Sequence, residues 1–498
     1  MILKKLTEIF KTFDKDEVKK FGRFIRSDYF NTNERITLLF KTLKKFYPSF
    51  DDPKLTNEYL FKEIYGSRKF DDKTFRYLLA ELMELAERFI SFSPVETDLL
   101  ERDKSVIEAF ITRALFNQAS SLLKSKESKL EKDFFISGTY LQHKIDYFHL
   151  WHQLIFYSDR LEPNLIKRVE LGEFITVRSM IEICHLYQNF FNIKVNYNID
   201  AEENVMTGFV QNFNYKGMYD YISNLVSDSK ISEGRRKLIN SFKIYMCFMI
   251  TFTDKKDEEY FNKMRELVEN YGKYFEKEEL QNLYIMLTSC CNIKRQSIDD
   301  SKYLKIYFDV VKAAISKDLM TAYEGQYMDI SGFFRIFNTA IYFKEYVWAE
   351  TFVSKYVNRL SPDFMDDMHN YTCAELYFRM KNYDEALKLL SKVRYKFPRL
   401  KHSVRSLTLM IYYEKDYIEE AFSLIDSFTH FLNGNNKVSR NITDRYLNLT
   451  SAIRDLLKYK TKSGERKKVS EIRNGIVKTE LMENRDWLLE KTDELKNN

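Results

Sequence analysis

Apolar residues recur at steps of three and four from the start of the chain: Ile2, Leu3, Leu6, Ile9, Phe10 and Phe13, then Val18, Phe21, Phe24 and Ile25. Such spacing places one buried face on each of two helices. Asp14 with Glu17 forms a capping-box pair between them, and Asn31 with Glu34 repeats the device ahead of Ile36, Leu39, Phe40 and Leu43. Pro48 ends this third helix. Thr56 opens a short fourth helix that Gly66 closes, and Asp71 or Asp72 caps a fifth through Phe75, Leu78, Leu79, Leu82, Ala86, Phe89 and Ile90. Ser91-Phe-Ser-Pro94 then breaks the stripe, which predicts a five-helix N-terminal module over residues 1–95.

From residue 100 onward, amphipathic helices alternate with short polar breaks at Ser158-Asp159, Glu162-Pro163, Asp254 to Asp257 and Asp299-Asp300. The nearly apolar run from Ile244 to Phe252 falls well short of the roughly 20 residues of a membrane span and predicts a buried core helix. Phe191 to Ile199 alternates in the manner of a strand, but it continues a helical stripe and has no partner strand nearby, so it is a helix end or a loop. Near the C-terminus, Ile442, Tyr446, Leu449, Ile453 and Leu456 step by four and three, the seam of a packed helix or short coiled coil. Trp487-Leu-Leu489 belongs to a last amphipathic helix that can fold back on it.

A repeat emerges between residues 331 and 432. Tyr346-Val-Trp-Ala349, Tyr383-Asp-Glu-Ala386 and Ile418-Glu-Glu-Ala421 each set a large residue three positions before an alanine, and the alanines fall 37 and 35 residues apart. The clearest unit runs from Tyr371 to Pro398, with Tyr377, the turn Lys381-Asn382-Tyr383, Ala386, Leu390 and a closing proline. This pattern resembles the tetratricopeptide repeat, a helix–turn–helix unit of about 34 residues. Cys373 and Ala374 depart from it, standing where that family prefers Leu and Gly. Phe116-Asn-Gln-Ala119, ahead of Leu122 and Leu123, carries a similar signature.

The resemblance implies an all-α fold: a right-handed α-solenoid of tetratricopeptide-like hairpins over residues 96–435, between the N-terminal module and capping helices over 436–498. It also implies a groove lined by the first helix of each hairpin. Through the alanine register, that groove takes Phe334, Asn338, Ile341 and Tyr342, then Tyr371, Glu375, Phe378 and Arg379, then Ser406, Met410, Tyr413 and Glu414. Of the residues that hold a terminal carboxylate in chaperone-binding members of the family, only Asn338 has a counterpart. An internal segment anchored by aromatic contacts is therefore the expected ligand. The competing reading is that neighbouring helices or the C-terminal section fill the groove, making these rings core.

Composition agrees with helices. Only 13 Gly and 6 Pro occur in 498 residues, too few for turn-rich β folds or for the Gly-rich turns of doubly wound α/β folds. The 41 Phe and 34 Tyr sit mostly at core spacing, so they do not by themselves signal base stacking. The five cysteines, Cys184, Cys247, Cys290, Cys291 and Cys373, form no disulfide framework, and the first residues lack a signal-peptide apolar run. Both features predict a cytoplasmic protein, in which the sequons at Asn441 and Asn448 stay formal.

Candidate chemistry is sparse. No phosphate loop, dinucleotide fingerprint, nucleophile elbow or zinc-protease motif occurs, so no cofactor is expected. Ser121-Leu-Leu-Lys124 matches a nucleophilic serine motif only formally. His149 and His152, with His143, Asp146, Cys184 and His185, are the sharpest zinc candidates, although partly buried, hydrogen-bonded histidines are the default in so aromatic a segment. Adjacent Cys290 and Cys291 diverge by about 100° on a helix and do not share one ion. The segment from Arg454 to Arg473 holds eight basic and three acidic residues and suits phosphate or an acidic protein. These features predict a non-enzymatic scaffold or adaptor for a protein or peptide partner. A nucleic-acid-associated factor, using the N-terminal module or residues 454–473, is the alternative, and an unrecognised helical enzyme the second.

Overall fold

The computed structural model describes residues 2–97, 99–132, 135–158, 165–196, 204–227, 231–297, 300–321, 325–395, 397–434, 440–462 and 468–497. The fold is all-α, with 81% of the structure in 24 α-helices and no strand among the described residues. One isolated bridge joins Ile136 and Phe275. The chain divides into two compact units, one of Met1–Lys129 with Asp146–Leu165, the other of Leu130–Ile145 with Ile166–Asn498.

In the first unit, α1 (Ile2–Thr12), α2 (Lys15–Phe24), α3 (Glu34–Leu43), α4 (Asn57–Tyr65) and α5 (Asp72–Thr97) follow the apolar stripes. Asp14 accepts hydrogen bonds from the amides of Asp16 and Glu17 while Glu17 accepts from the Asp14 amide, completing the capping box. Asn33, not Asn31, caps α3. Asn31 is turned inward, donating to the Ile25 carbonyl at 2.7 Å and accepting from the Asn33 amide, because a buried amide has to satisfy both of its ends. Gly66 closes α4 at φ +66°, a conformation that costs glycine little. The break expected at Ser91 to Pro94 does not occur: α5 continues through Pro94 to Thr97, since a proline removes one helical hydrogen bond and bends a helix without having to end it. One continuous apolar cluster from Leu6 to Ala86 joins these five helices, centred on the fully buried Phe21. The remaining elements of this unit begin with α6 (Leu99–Thr112) and α7 (Phe116–Lys132).

In chain order follow α8 (Gly138–Ser158), α9 (Leu165–Asn196), α10 (Val205–Asn212), α11 (Tyr215–Val226) and α12 (Glu233–Thr253). The apolar run from Ile244 to Phe252 is buried inside α12, as its pattern predicts. Phe191 to Asn196 is the end of α9, and the rest of that alternating stretch lies outside the described residues. Next come α13 (Glu259–Tyr271), α14 (Lys277–Ser297) and α15 (Asp300–Ser316).

Three hairpins succeed them: α16 (Ile330–Tyr342) with α17 (Tyr346–Tyr356), α18 (Pro362–Arg379) with α19 (Tyr383–Leu390), and α20 (Pro398–Glu414) with α21 (Ile418–Asn433). One turn is used in all three. The residue five before each alanine is left-handed: Lys344 and Lys381 at φ 60°, Asp416 at φ 57°. The next amide reaches back five residues, from Glu345 to the Ala340 carbonyl, Asn382 to Tyr377 and Tyr417 to Tyr412, each at 2.9 Å. This is the Schellman closure, which satisfies the carbonyls left over at a helix end. The α6–α7 turn repeats it, with Ala114 at φ 57° and the Leu115 amide donating to the Phe110 carbonyl at 2.8 Å. Ala119, Ala349, Ala386 and Ala421, each five residues past the left-handed position, are all 0% exposed.

A side chain at such a position costs energy that glycine avoids. Lys381→Gly is therefore expected to raise stability by about 0.5–1 kcal/mol, read as a higher urea midpoint with unchanged slope. A lower midpoint would mean that the Lys381 side chain contributes more than its backbone strain costs.

The chain continues through α22 (Arg440–Thr461), α23 (Val469–Lys478) and α24 (Arg485–Asn497). The seam on α22 buries Tyr446, Leu449, Ile453 and Leu456, and the helix packs against α20, α21, α23 and α24. No helix among the described residues is long and apolar enough to cross a membrane.

Candidate functional site

The predicted face lies on the first helices of the three hairpins, where Phe334 meets Tyr371 across α16 and α18, and little of it is open. On α16, Ile341 is buried, Phe334 and Asn338 are half-buried, and Tyr342 is 50% exposed. On α18, Tyr371, Glu375 and Phe378 are buried and Arg379 is half-buried. On α20, Ser406, Met410 and Tyr413 are buried and Glu414 is half-buried. The rings connect one helix to the next: Phe334 lies 5.6 Å from Tyr371 and 6.1 Å from Phe397 at the head of α20. Arg379 donates through Nε and Nη2 to Glu375, at 2.9 and 2.6 Å, which keeps that buried carboxylate paired. Burial, with Glu375 beside it, holds the Tyr371 hydroxyl well above the ordinary tyrosine range, so this phenol stays protonated.

The C-terminal section covers the α20 end. Trp487 stands edge-on to Tyr413 at 5.4 Å and donates its indole N–H to Glu414 at 2.8 Å. The Lys491 ammonium lies 2.9 Å from the same Glu414 oxygen and 2.7 Å from Glu494. Asn484 donates to the Ser406 hydroxyl at 3.1 Å. Two further contacts shape the lead-in to α24: Asn448 donates to the Leu481 carbonyl at 2.6 Å, and Arg485 donates to the carbonyls of Thr479 and Glu480.

Glu483, within this lead-in, has an electrostatic penalty. Burial pushes its carboxyl above the ordinary range; Arg445 on α22 opposes that, and Glu375 on α18 reinforces it. The neighbouring Tyr371 is neutral, and Glu375 is itself paired with Arg379. A group with a raised folded-state value stabilises the fold below its unfolded value and loses that contribution as the pH rises through the folded value. Glu483→Gln should therefore match the wild type in melting temperature at about pH 4, near the ordinary glutamate value, and exceed it at neutral pH. Parallel thermal melts across that range check this; an equal or lower melting temperature for the variant at neutral pH would contradict the assignment.

The other candidates are more dispersed. His149 and His152 are exposed, not partly buried as their aromatic surroundings suggest. Tyr147, Leu150, Trp151 and Leu154 take the buried side of α8 and turn both imidazoles outward. Asp146 is paired with Lys104 at 2.9 Å. No group of three or more metal-ligating side chains occurs among the described residues. Cys184, Cys247, Cys290 and Cys291 are buried and free; burial pushes Cys247 and Cys291 up to about 12, far from a reactive thiolate. Ser121 and Lys124 are both exposed on α7. In the basic segment, Arg454 pairs with Asp426, Lys460 with Asp416 and Arg473 with Asp493, while residues 463–467 lie outside the described chain.

Two buried polar clusters escape sequence reasoning. The buried Tyr245 on α12 donates its hydroxyl to the buried Glu279 on α14, and His185 Nε2 on α9 stands 3.2 Å from the same oxygen without hydrogen-bond alignment. Lys294, fully buried on α14, donates to the carbonyls of Lys255 and Asp257 and lies 5.7 Å from the rings of both Phe261 and Tyr303. Burial pushes this ammonium down, and the carbonyls and ring faces offset the cost of keeping it inside. Both clusters tie helices together. Their partners are far apart in the chain, so local spacing gives no sign of them.

Comparison with protein-family models, curated proteins and solved structures gave no match for this chain.

Proposed function

We propose that this protein is a non-enzymatic scaffold or adaptor that holds a polypeptide on the face formed by the first helices of its three hairpins. The observation that carries this reading is the turn used at Lys344, Lys381 and Asp416, with a sealed alanine five residues later each time. A repeated closure with a small residue at the helix crossing is what tetratricopeptide-like hairpins need in order to stack, and a right-handed α-solenoid is the arrangement this reading implies. Rings with few charges on the face favour an aromatic-anchored internal segment over a free carboxylate. Paired Arg454, Lys460 and Arg473 leave the nucleic-acid alternative with less cationic surface than the sequence suggests.

Tyr342 is the exposed member of the face and Asn338 a half-buried polar one four residues before it, and the two make a sharper test than the buried Tyr371 and Tyr413. A polypeptide that co-purifies with the wild-type chain should be lost from the Asn338→Ala, Tyr342→Ala variant while its circular dichroism and melting temperature stay unchanged. Retention of the same polypeptide by this folded variant would rule out the face.

A further inference from the structure

The α20 end of the face already holds a ligand-like segment. Three residues of the segment from Asn484 to Lys491 meet Ser406, Tyr413 and Glu414: Asn484 donates to Ser406, the Trp487 ring edge meets Tyr413, and Trp487 and Lys491 both reach Glu414. Trp487 and Lys491 stand four residues apart, one helical turn, so a single helix face presents both to Glu414. This pairing of an aromatic anchor with a charge-assisted contact is how a helix commonly docks in a groove.

The contacts of α24 with α20 are hydrogen bonds and one ring edge, while its sealed Leu488 and its packing on α22 and α23 add apolar burial. In α24 the sealed side chains are Trp487, Leu488, Lys491 and Thr492, whereas α20 seals Leu400, Leu409, Met410 and Ile411 among others. Apolar burial sets most of an element's resistance to local opening, so α24, which seals two apolar side chains, is expected to open before α20.

We propose that α24 is a reversible internal ligand of the face, released as a unit and replaced by a partner helix that carries tryptophan with lysine four residues later. This rests on the reading that the face binds polypeptide, and it adds both the partner's chemistry and the means by which the site is kept closed. The partner offers the indole donor and the ammonium that Glu414 otherwise takes from Trp487 and Lys491.

The probe is a fluorescein-labelled peptide with the sequence of residues 480–497, titrated into the full-length chain and into its full-length Trp487→Ala, Lys491→Ala variant. Because a closed site lowers apparent affinity by the fraction open, the peptide should bind the variant at least about tenfold more tightly than the wild type. A control peptide with alanine at its own tryptophan and lysine should bind neither. Hydrogen exchange on the unaltered chain removes any dependence on how the variant folds: α24 amides should exchange independently of, and faster than, those of α20. Exchange of α24 only together with α20 would make it a permanent part of the core and overturn the inference, whatever the Asn338→Ala, Tyr342→Ala experiment shows. Independent opening without peptide binding to the folded variant would overturn it as well. A concentration-dependent dimer in light scattering would identify a second copy's α24 as the occupant and exclude the partner helix proposed here.

Discussion

Phe21→Ala is expected to cost about 3–5 kcal/mol, the usual price of emptying a sealed phenylalanine site. Phe21 is 0% exposed, and its ring lies 5.4 Å from Phe10, 5.9 Å from Phe13, 4.8 Å from Phe40 and 5.3 Å from Phe89. Those neighbours come from α1, the α1–α2 turn, α3 and α5, so no single side-chain movement fills the void. The cluster from Leu6 to Ala86 should lose protection together, seen as faster hydrogen exchange in α1, α2, α3 and α5. Tyr29→Ala is the control, since that ring is 86% exposed and its removal should change stability by less than about 0.5 kcal/mol. Comparable losses for the two variants would mean that the aromatic cluster does not form the centre of these helices.

Ala386→Leu is expected to destabilise by about 1–3 kcal/mol through overpacking. Ala386 is sealed in the first turn of α19, and its amide donates to the Asn382 carbonyl, so added methylenes meet fixed backbone on one side and α18 on the other. Ala349 and Ala421 occupy the same place after the same turn and should respond alike. Ala80→Leu on the exposed side of α5 controls for propensity. Thermal melts decide it: three sensitive alanines and an insensitive control support one shared hairpin geometry, and an insensitive Ala386 would remove it.

Helix positions were largely legible because they depend on neighbours in sequence. Asp14 and Glu17, Thr56 and Gly66, and the apolar run inside α12 form contacts within a few residues, and spacing suffices to find them. Spacing alone misleads where two local options compete or the tertiary structure intervenes. Asn31 and Asn33 both can cap α3, and burial of Asn31 settles it. Left-handed residues at Ala114, Lys344, Lys381 and Asp416 were invisible, since glycine is the usual sign of that conformation. On the predicted face, the alanine register reads Phe334 and Tyr371 onto successive first helices, where their rings lie 5.6 Å apart. Whether the C-terminal section covers the face is an alternative the sequence raises but does not settle, because Trp487 and Glu414 are 73 residues apart and no local period links them.

Site-specific photocrosslinking tests the central claim most directly. A benzophenone amino acid replaces Tyr342, at the accessible edge of the face, or Val347, 79% exposed on α17, the second helix of the same hairpin. After irradiation in the cells that make the protein, position 342 should yield a discrete polypeptide adduct that is absent at position 347. Equal labelling at both positions, or none at position 342, would contradict a polypeptide-binding face on the first helices of the hairpins.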